Sequence, residues 1–159
     1  MQDSNKAKTI MDKGIGVKKG DFNLLSDYEA LFLLDKGLAE IVDDKGTALP
    51  REVLLRRFMK NDKRFLENYA VYKELSSAGY CVKTGLKYGA EFRVYDKGEK
   101  PGTEHSIWIV WVLKENEKIK PGSLLSISRI ANSTKKSLLI AFVDRDNSTT
   151  YLEVKRAKP

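Results

Sequence analysis

The chain has 159 residues, 42% of them hydrophobic and 32% charged, with a formal net charge of +7 at pH 7. That length holds one ordinary domain or two small ones, and the apolar content excludes a disordered chain. A single cysteine excludes an intrachain disulfide, and one histidine leaves too few ligands for a structural zinc site, so neither metal nor cofactor is expected. No apolar run approaches the roughly 20 residues of a membrane span. The amino-terminal MQDSNKAKTIMDKG lacks the apolar stretch of a signal peptide. The expectation is a soluble, cytoplasmic protein.

In chain order, residues 4–13 are polar apart from Ile10 and Met11 and predict a short helix or a frayed end. GIGVKKGD reads as turn material. Ser26 followed by Glu29 has capping-box spacing, which predicts a helix with apolar face Ala30, Leu31 and Leu34, closed by Gly37. Leu38–Val42 reads as a short strand and Asp43–Gly46 as a turn. Pro50 suits the first turn of a second helix with Val53, Leu54 and Phe58 on one stripe. A third helix runs from about Asn61 or Asp62 through Phe65, Leu66, Tyr69, Tyr72 and Leu75, and should stop at Gly79. Beyond it the pattern changes to strands over 80–83, 90–95, 105–113, 124–126, 138–143 and 150–154, with a further helix over 127–133. The fold class is therefore α+β, or mixed α/β. A boundary near residue 61 divides the chain into an N-terminal part, 1–61, and a C-terminal part, 62–159.

Charge is distributed unevenly across that boundary. Residues 1–61 hold 11 Lys/Arg and 10 Asp/Glu, whereas residues 62–159 hold 18 and 12, so six of the seven surplus charges lie in the second part. Such a bias fits a polyanion such as RNA or DNA, and equally a surface decorated with lysine. In the same part, three groups stand where polar segments meet strands. Phe92 and Val94 alternate with Arg93 and Tyr95, so Tyr95 leaves the core face of its strand. The only histidine, His105, opens EHSIWIVWVL, and Lys136 precedes the apolar run of NSTKKSLLIAFVD.

RNA is cut when its 2′-OH loses a proton and attacks the adjacent phosphate. That step needs a base, an acid for the departing 5′-oxygen, and positive charge for the phosphorane. Histidine, with a reference pKa of about 6.5, suits acid or base work; lysine is a fixed charge; tyrosine, at about 10, serves as a base only beside a cation. Each residue also has a plain reading: a strand tyrosine, a loop histidine, one of a solvated lysine pair. Cys81 reads as a small core residue.

The segment YKELSSAGYCVKTGLKYGAEFRVY, Tyr72 to Tyr95, closely resembles the tRNA splicing endonuclease family, in which a helix ending YxxLxxxGY precedes VKxGxKFGxxFxxY. EHSIWIVWV and RIANSTKKSLLIAFVD resemble that family's histidine and lysine segments, and LLSDYEALFLLDKG its archaeal N-terminal part. The resemblance implies a small N-terminal α/β domain, 1–61, followed by a C-terminal catalytic domain, 62–159, with a restriction-nuclease-like mixed sheet. It implies Tyr95 as general base, His105 as general acid and Lys136 as transition-state stabiliser, preferred to Lys135 because it stands one residue before the apolar run. Arg129 matches an arginine that contacts the bulged RNA. The implied activity is that of a catalytic subunit, a metal-independent tRNA-intron lyase. It would cut precursor tRNA at a bulge-helix-bulge and leave 2′,3′-cyclic phosphate and 5′-OH ends. The implied assembly has four such domains, as a homo-oligomer or as a heterotetramer with a noncatalytic related subunit, and the acidic turn with Asp144 and Asp146 resembles the loop that joins neighbours.

Two rival readings stand beside this one. A metal-dependent nuclease would use Asp144, Glu153 and Lys155, an E-x-K strand end with a second carboxylate. A noncatalytic RNA-binding or scaffold subunit would leave the tyrosine, histidine and lysine idle.

Overall fold

The computed structural model describes residues 10, 12–102, 105–157 and 159. Most of the helix or frayed end expected over residues 4–13 lies outside the described residues. The chain divides into two compact units, Met1–Leu66 and Glu67–Pro159.

The first unit opens with an antiparallel hairpin of β1, Val17–Lys19, and β2, Phe22–Leu24, where the sequence suggested only turn. The two-residue Gly20-Asp21 loop between Lys19 and Phe22 is a known hairpin signal. Helix α1, Asp27–Asp35, starts at the expected capping box: Ser26 accepts from the Glu29 N–H, and the Glu29 carboxylate accepts from the Ser26 N–H at 2.8 Å. Glu29 is itself buried, because its other oxygen accepts from the Gly16 N–H at 2.9 Å. The buried side of α1 is Leu31, Phe32 and Leu33, not Ala30, Leu31 and Leu34. No strand forms over 38–42; Val42 makes a single bridge to Ala48. The Asp43 carboxylate takes the N–H groups of Lys45 and Thr47, both at 2.9 Å, and this local turn competes with a ladder. Helix α2, Arg51–Asn61, begins after Pro50 and buries Leu54 and Phe58. Phe65 stacks on Tyr28 at 5.1 Å, and the Tyr28 hydroxyl donates to Asp62 at 2.6 Å.

The second unit is built on a five-stranded sheet in the order β3 (Cys81–Thr84), β4 (Phe92–Tyr95), β5 (Trp108–Lys114), β6 (Ser137–Val143), β7 (Thr149–Val154). Every neighbouring pair is antiparallel except β5 and β6, which run parallel. Between these two strands comes helix α4, Pro121–Ser133, as a crossover. It replaces the expected strand over 124–126 and the shorter helix after it. Pro121 suits the first helical position, and Leu124, Ile127 and Ala131 form one helical stripe.

That stripe packs with Ala90, Ile109, Leu113, Leu138 and Ile140 on one face of the sheet. On the other face, Tyr72 of α3, Phe65–Ser77, meets Phe92 at 6.1 Å. Covering both faces explains why β5 and β6 are nearly continuous apolar runs. It also corrects the outward tyrosine of the sequence reading: Tyr95 leaves the Phe92/Val94 face, yet it is only 4% exposed, since the second face is covered too.

Candidate functional site

The sheet topology alone brings Tyr95, His105 and Lys136 to one end. Tyr95 is the last residue of β4, and β4 runs antiparallel to β5, so it finishes where β5 begins. His105 stands three residues before β5 and Lys136 one residue before β6. Because β5 and β6 are parallel, with Trp108 opposite Ser137, both strands start at that same end. Two backbone bonds hold the three entries in register: Ile107 N–H donates to Val94 O at 2.8 Å, and Ser137 N–H to Ile107 O at 3.0 Å.

There the three side chains line a cleft of about 320 Å³ together with Lys87, Tyr88 and Arg93. Among the described residues lining it none carries a carboxylate, so the cleft is cationic and fits an anion. His105 is solvent-exposed.

The end of α4 sets the lysine. Lys136 N–H donates to Ala131 O at 2.8 Å, and Lys135 turns through a left-handed φ of 57°. Lys135 is thereby exposed, while Lys136 is half-buried. Its Nζ donates to Thr134 O at 2.8 Å, at the negative end of the helix dipole, and lies 5.5 Å from the centre of the Tyr88 ring.

Sequence reasoning did not single out Lys87, Tyr88 and Arg93, although the two glycines of GLKYG were a signal. Leu86–Tyr88 is a 3₁₀ turn. A Cβ on Gly85 would lie 2.6 Å from the carbonyl carbon and oxygen of Phe92, so only glycine lets this turn close onto β4. Gly89 leaves the turn at φ +71°.

The two tyrosines differ in acidity. Burial holds the Tyr95 hydroxyl above its ordinary value, against the opposing charge of Arg93, whose guanidinium carbon is 5.7 Å from the ring centre. For Tyr88, burial pushes upward as well, but the hydrogen bond from Lys87 and the charges of Lys136, Lys87 and Arg93 outweigh it and hold the phenol below its ordinary value. The cation beside Tyr95 that favours its ionisation is Arg93.

The remaining candidates lie elsewhere. Arg129 is exposed on α4 and does not line the cleft. The carboxylates of the E-x-K reading are kept apart. Glu153 pairs with Leu139, while Asp144 follows the far end of β6, five residues or about 17 Å along the strand. Glu153 accepts from Trp108 Nε1 at 3.2 Å and pairs with Lys155 at 3.3 Å. Asp144 accepts the N–H groups of Asp146 and Ser148 at 2.9 Å each, which closes the β6–β7 turn. Among the described residues no cluster of three His, Cys, Asp or Glu forms that could hold a metal ion. Nor is any described helix long and apolar enough to cross a membrane.

Comparison with known proteins matches residues 65–151 to the tRNA intron endonuclease family, catalytic C-terminal domain. The tRNA-splicing endonuclease of Pyrococcus horikoshii is 37% identical over 147 residues, covering 92% of this chain and 84% of that protein. That of Methanothermobacter thermautotrophicus is 37% identical over 135 residues, with 85% and 78% covered. The Nanoarchaeum equitans enzyme is 39% identical over 137 residues, with 82% and 87% covered.

Proposed function

Because the chain belongs to the tRNA intron endonuclease family, and is thereby an RNA endonuclease of tRNA splicing, we propose that it cuts precursor tRNA at the exon–intron junctions of a bulge-helix-bulge without a metal ion. The observation that carries this reading is the convergence of Tyr95, His105 and Lys136 on one cationic cleft. The Tyr95 phenolate removes the 2′-OH proton, and the 2′-oxygen attacks the adjacent phosphorus. The bond from phosphorus to the 5′-oxygen breaks, and protonated His105 gives its proton to that oxygen. Lys136 stands against the charge gathering on the nonbridging oxygens. One fragment ends in a 2′,3′-cyclic phosphate and the other in a 5′-OH.

Burial favours the protonated phenol, and the Arg93 charge beside it favours the phenolate that the step needs. Arg129, exposed on α4, serves as an RNA contact outside the cleft. Four such domains, from copies of this chain or with a noncatalytic relative, hold both junctions at once, and the work is done in the cytoplasm. The residues fall into an N-terminal domain, 1–61, and a catalytic domain, 62–159.

The test is cleavage of a bulge-helix-bulge RNA in EDTA, beside the same RNA carrying 2′-deoxy at the cut nucleotide. The natural RNA is expected to give cyclic phosphate ends in EDTA and the 2′-deoxy RNA to resist. Efficient cutting of the 2′-deoxy RNA, or a requirement for a divalent ion, overturns the mechanism.

A further inference from the structure

We propose that Arg93 is a phosphate-binding residue of this cleft, its guanidinium holding the phosphate being cut against the Tyr95 hydroxyl. The inference rests on the reading of Tyr95, His105 and Lys136 given above. Arg93 and Tyr95 are two apart on β4, so both side chains leave the same face of the sheet, and both line the cleft. The guanidinium carbon lies 5.7 Å from the Tyr95 ring centre. Its Nε is buried and has no hydrogen-bond partner among the described residues. A buried donor left unmade is costly in a folded protein and calls for an explanation, and the side chain that carries it lines a cleft that already fits an anion.

The register sets a second basic residue beside it: Arg93 stands directly opposite Lys83. Guanidinium is the group suited to the task, since its planar fork meets two phosphate oxygens at once, where an ammonium meets one.

One consequence is a dependence on pH. Around the Tyr95 hydroxyl, Arg93 favours the phenolate, whereas Tyr88 and Cys81 disfavour it, and His105, Lys136 and Lys87 line the same cleft. Removing the Arg93 charge therefore makes the base harder to form, and the rise of rate with pH moves to higher pH.

The experiment is single-turnover cleavage of bulge-helix-bulge RNA against pH for Arg93→Gln, Arg93→Lys and His105→Ala. Arg93→Gln is expected to lose roughly 10² in rate, as for other groups aimed at developing oxyanion charge, with its profile moved to higher pH. Arg93→Lys keeps the charge without the fork, and is expected to restore the profile and part of the rate. If Arg93→Gln cuts with the wild-type rate and profile while His105→Ala is slow, the role of Arg93 is overturned and the reading of the cleft stands. A slow Arg93→Gln with an unmoved profile and no recovery in Arg93→Lys shows a merely structural side chain, which also overturns the proposal. Wild-type cutting by His105→Ala overturns the reading of the cleft itself.

Discussion

Lys135 and Lys136 are adjacent residues of one type, and the backbone separates their roles. The left-handed turn at Lys135 sends that side chain into solvent and lays Lys136 against the last carbonyls of α4 and the Tyr88 ring. Lys136→Ala is therefore expected to lower single-turnover cleavage by roughly 10², the scale of a lost electrostatic stabiliser, with RNA binding kept. Lys135→Ala should cut at the wild-type rate. A filter-binding and cleavage assay on the two variants checks both statements, and equal losses would contradict them. The positions of Tyr95, His105 and Lys136 at strand mouths were readable from the chain, because each sits where a polar segment meets an apolar run. The covering of Tyr95 was not, since a period of two reports which face a residue takes and says nothing of what lies on that face. Lys87 and Tyr88 were hidden for a related reason: they meet the cleft only after a 3₁₀ turn has folded back on β4.

Among elements, that turn is the one most sensitive to a single atom. With a Cβ at Gly85 only 2.6 Å from the backbone of Phe92, the methyl of alanine meets main chain that cannot swing away. Gly85→Ala is expected to destabilise the protein by about 2 kcal/mol, as overpacking does, and to pull Lys87 and Tyr88 off the cleft. Thermal unfolding and cleavage should fall together, and an unchanged melting temperature would show that the turn tolerates the shift. Helix α1 was legible because its capping box is a local signal that needs no tertiary partner. Helix α4 was misread in its first half, where Leu124 and Leu125 resemble a strand entry; the stripe Leu124, Ile127, Ala131 shows only once the sheet beneath it is known. The β1–β2 hairpin was missed because three glycines within seven residues outweighed a two-residue loop between short strands.

At the scale of the whole molecule, β7 ends the sheet order and leaves Leu152 53% exposed, which is the kind of edge that pairs with another chain. Beside it the turn of Asp144 to Ser148 divides its labour. Asp144 is spent on backbone N–H groups within the turn, whereas Asp146 contributes only its N–H to that network, so its carboxylate is the charge available to a neighbour. On the four-domain assembly proposed above, Asp146→Lys is expected to leave the fold intact and reduce that assembly to a pair of chains joined at β7, with loss of cutting at two junctions. Sedimentation of the variant is the check, and an unaltered mass with full activity would show that the turn takes no part in assembly.

The lone parallel pair also sets a clock. Trp108 and Ser137 meet across the longest stretch of chain spanned by any neighbouring pair of strands in the sheet, whereas β3–β4 and β6–β7 close through short connections. Long-range pairing is slow because loop-closure entropy must be met before contacts reward it. Histidine and lysine enter the cleft from the two starts of that pair, so secondary structure can return well before the cleft exists. In refolding from denaturant, far-UV ellipticity is expected to recover ahead of cleavage activity, and simultaneous recovery of the two would show that the crossover forms with the hairpins. Cleavage activity is then expected to report the pairing of β5 with β6.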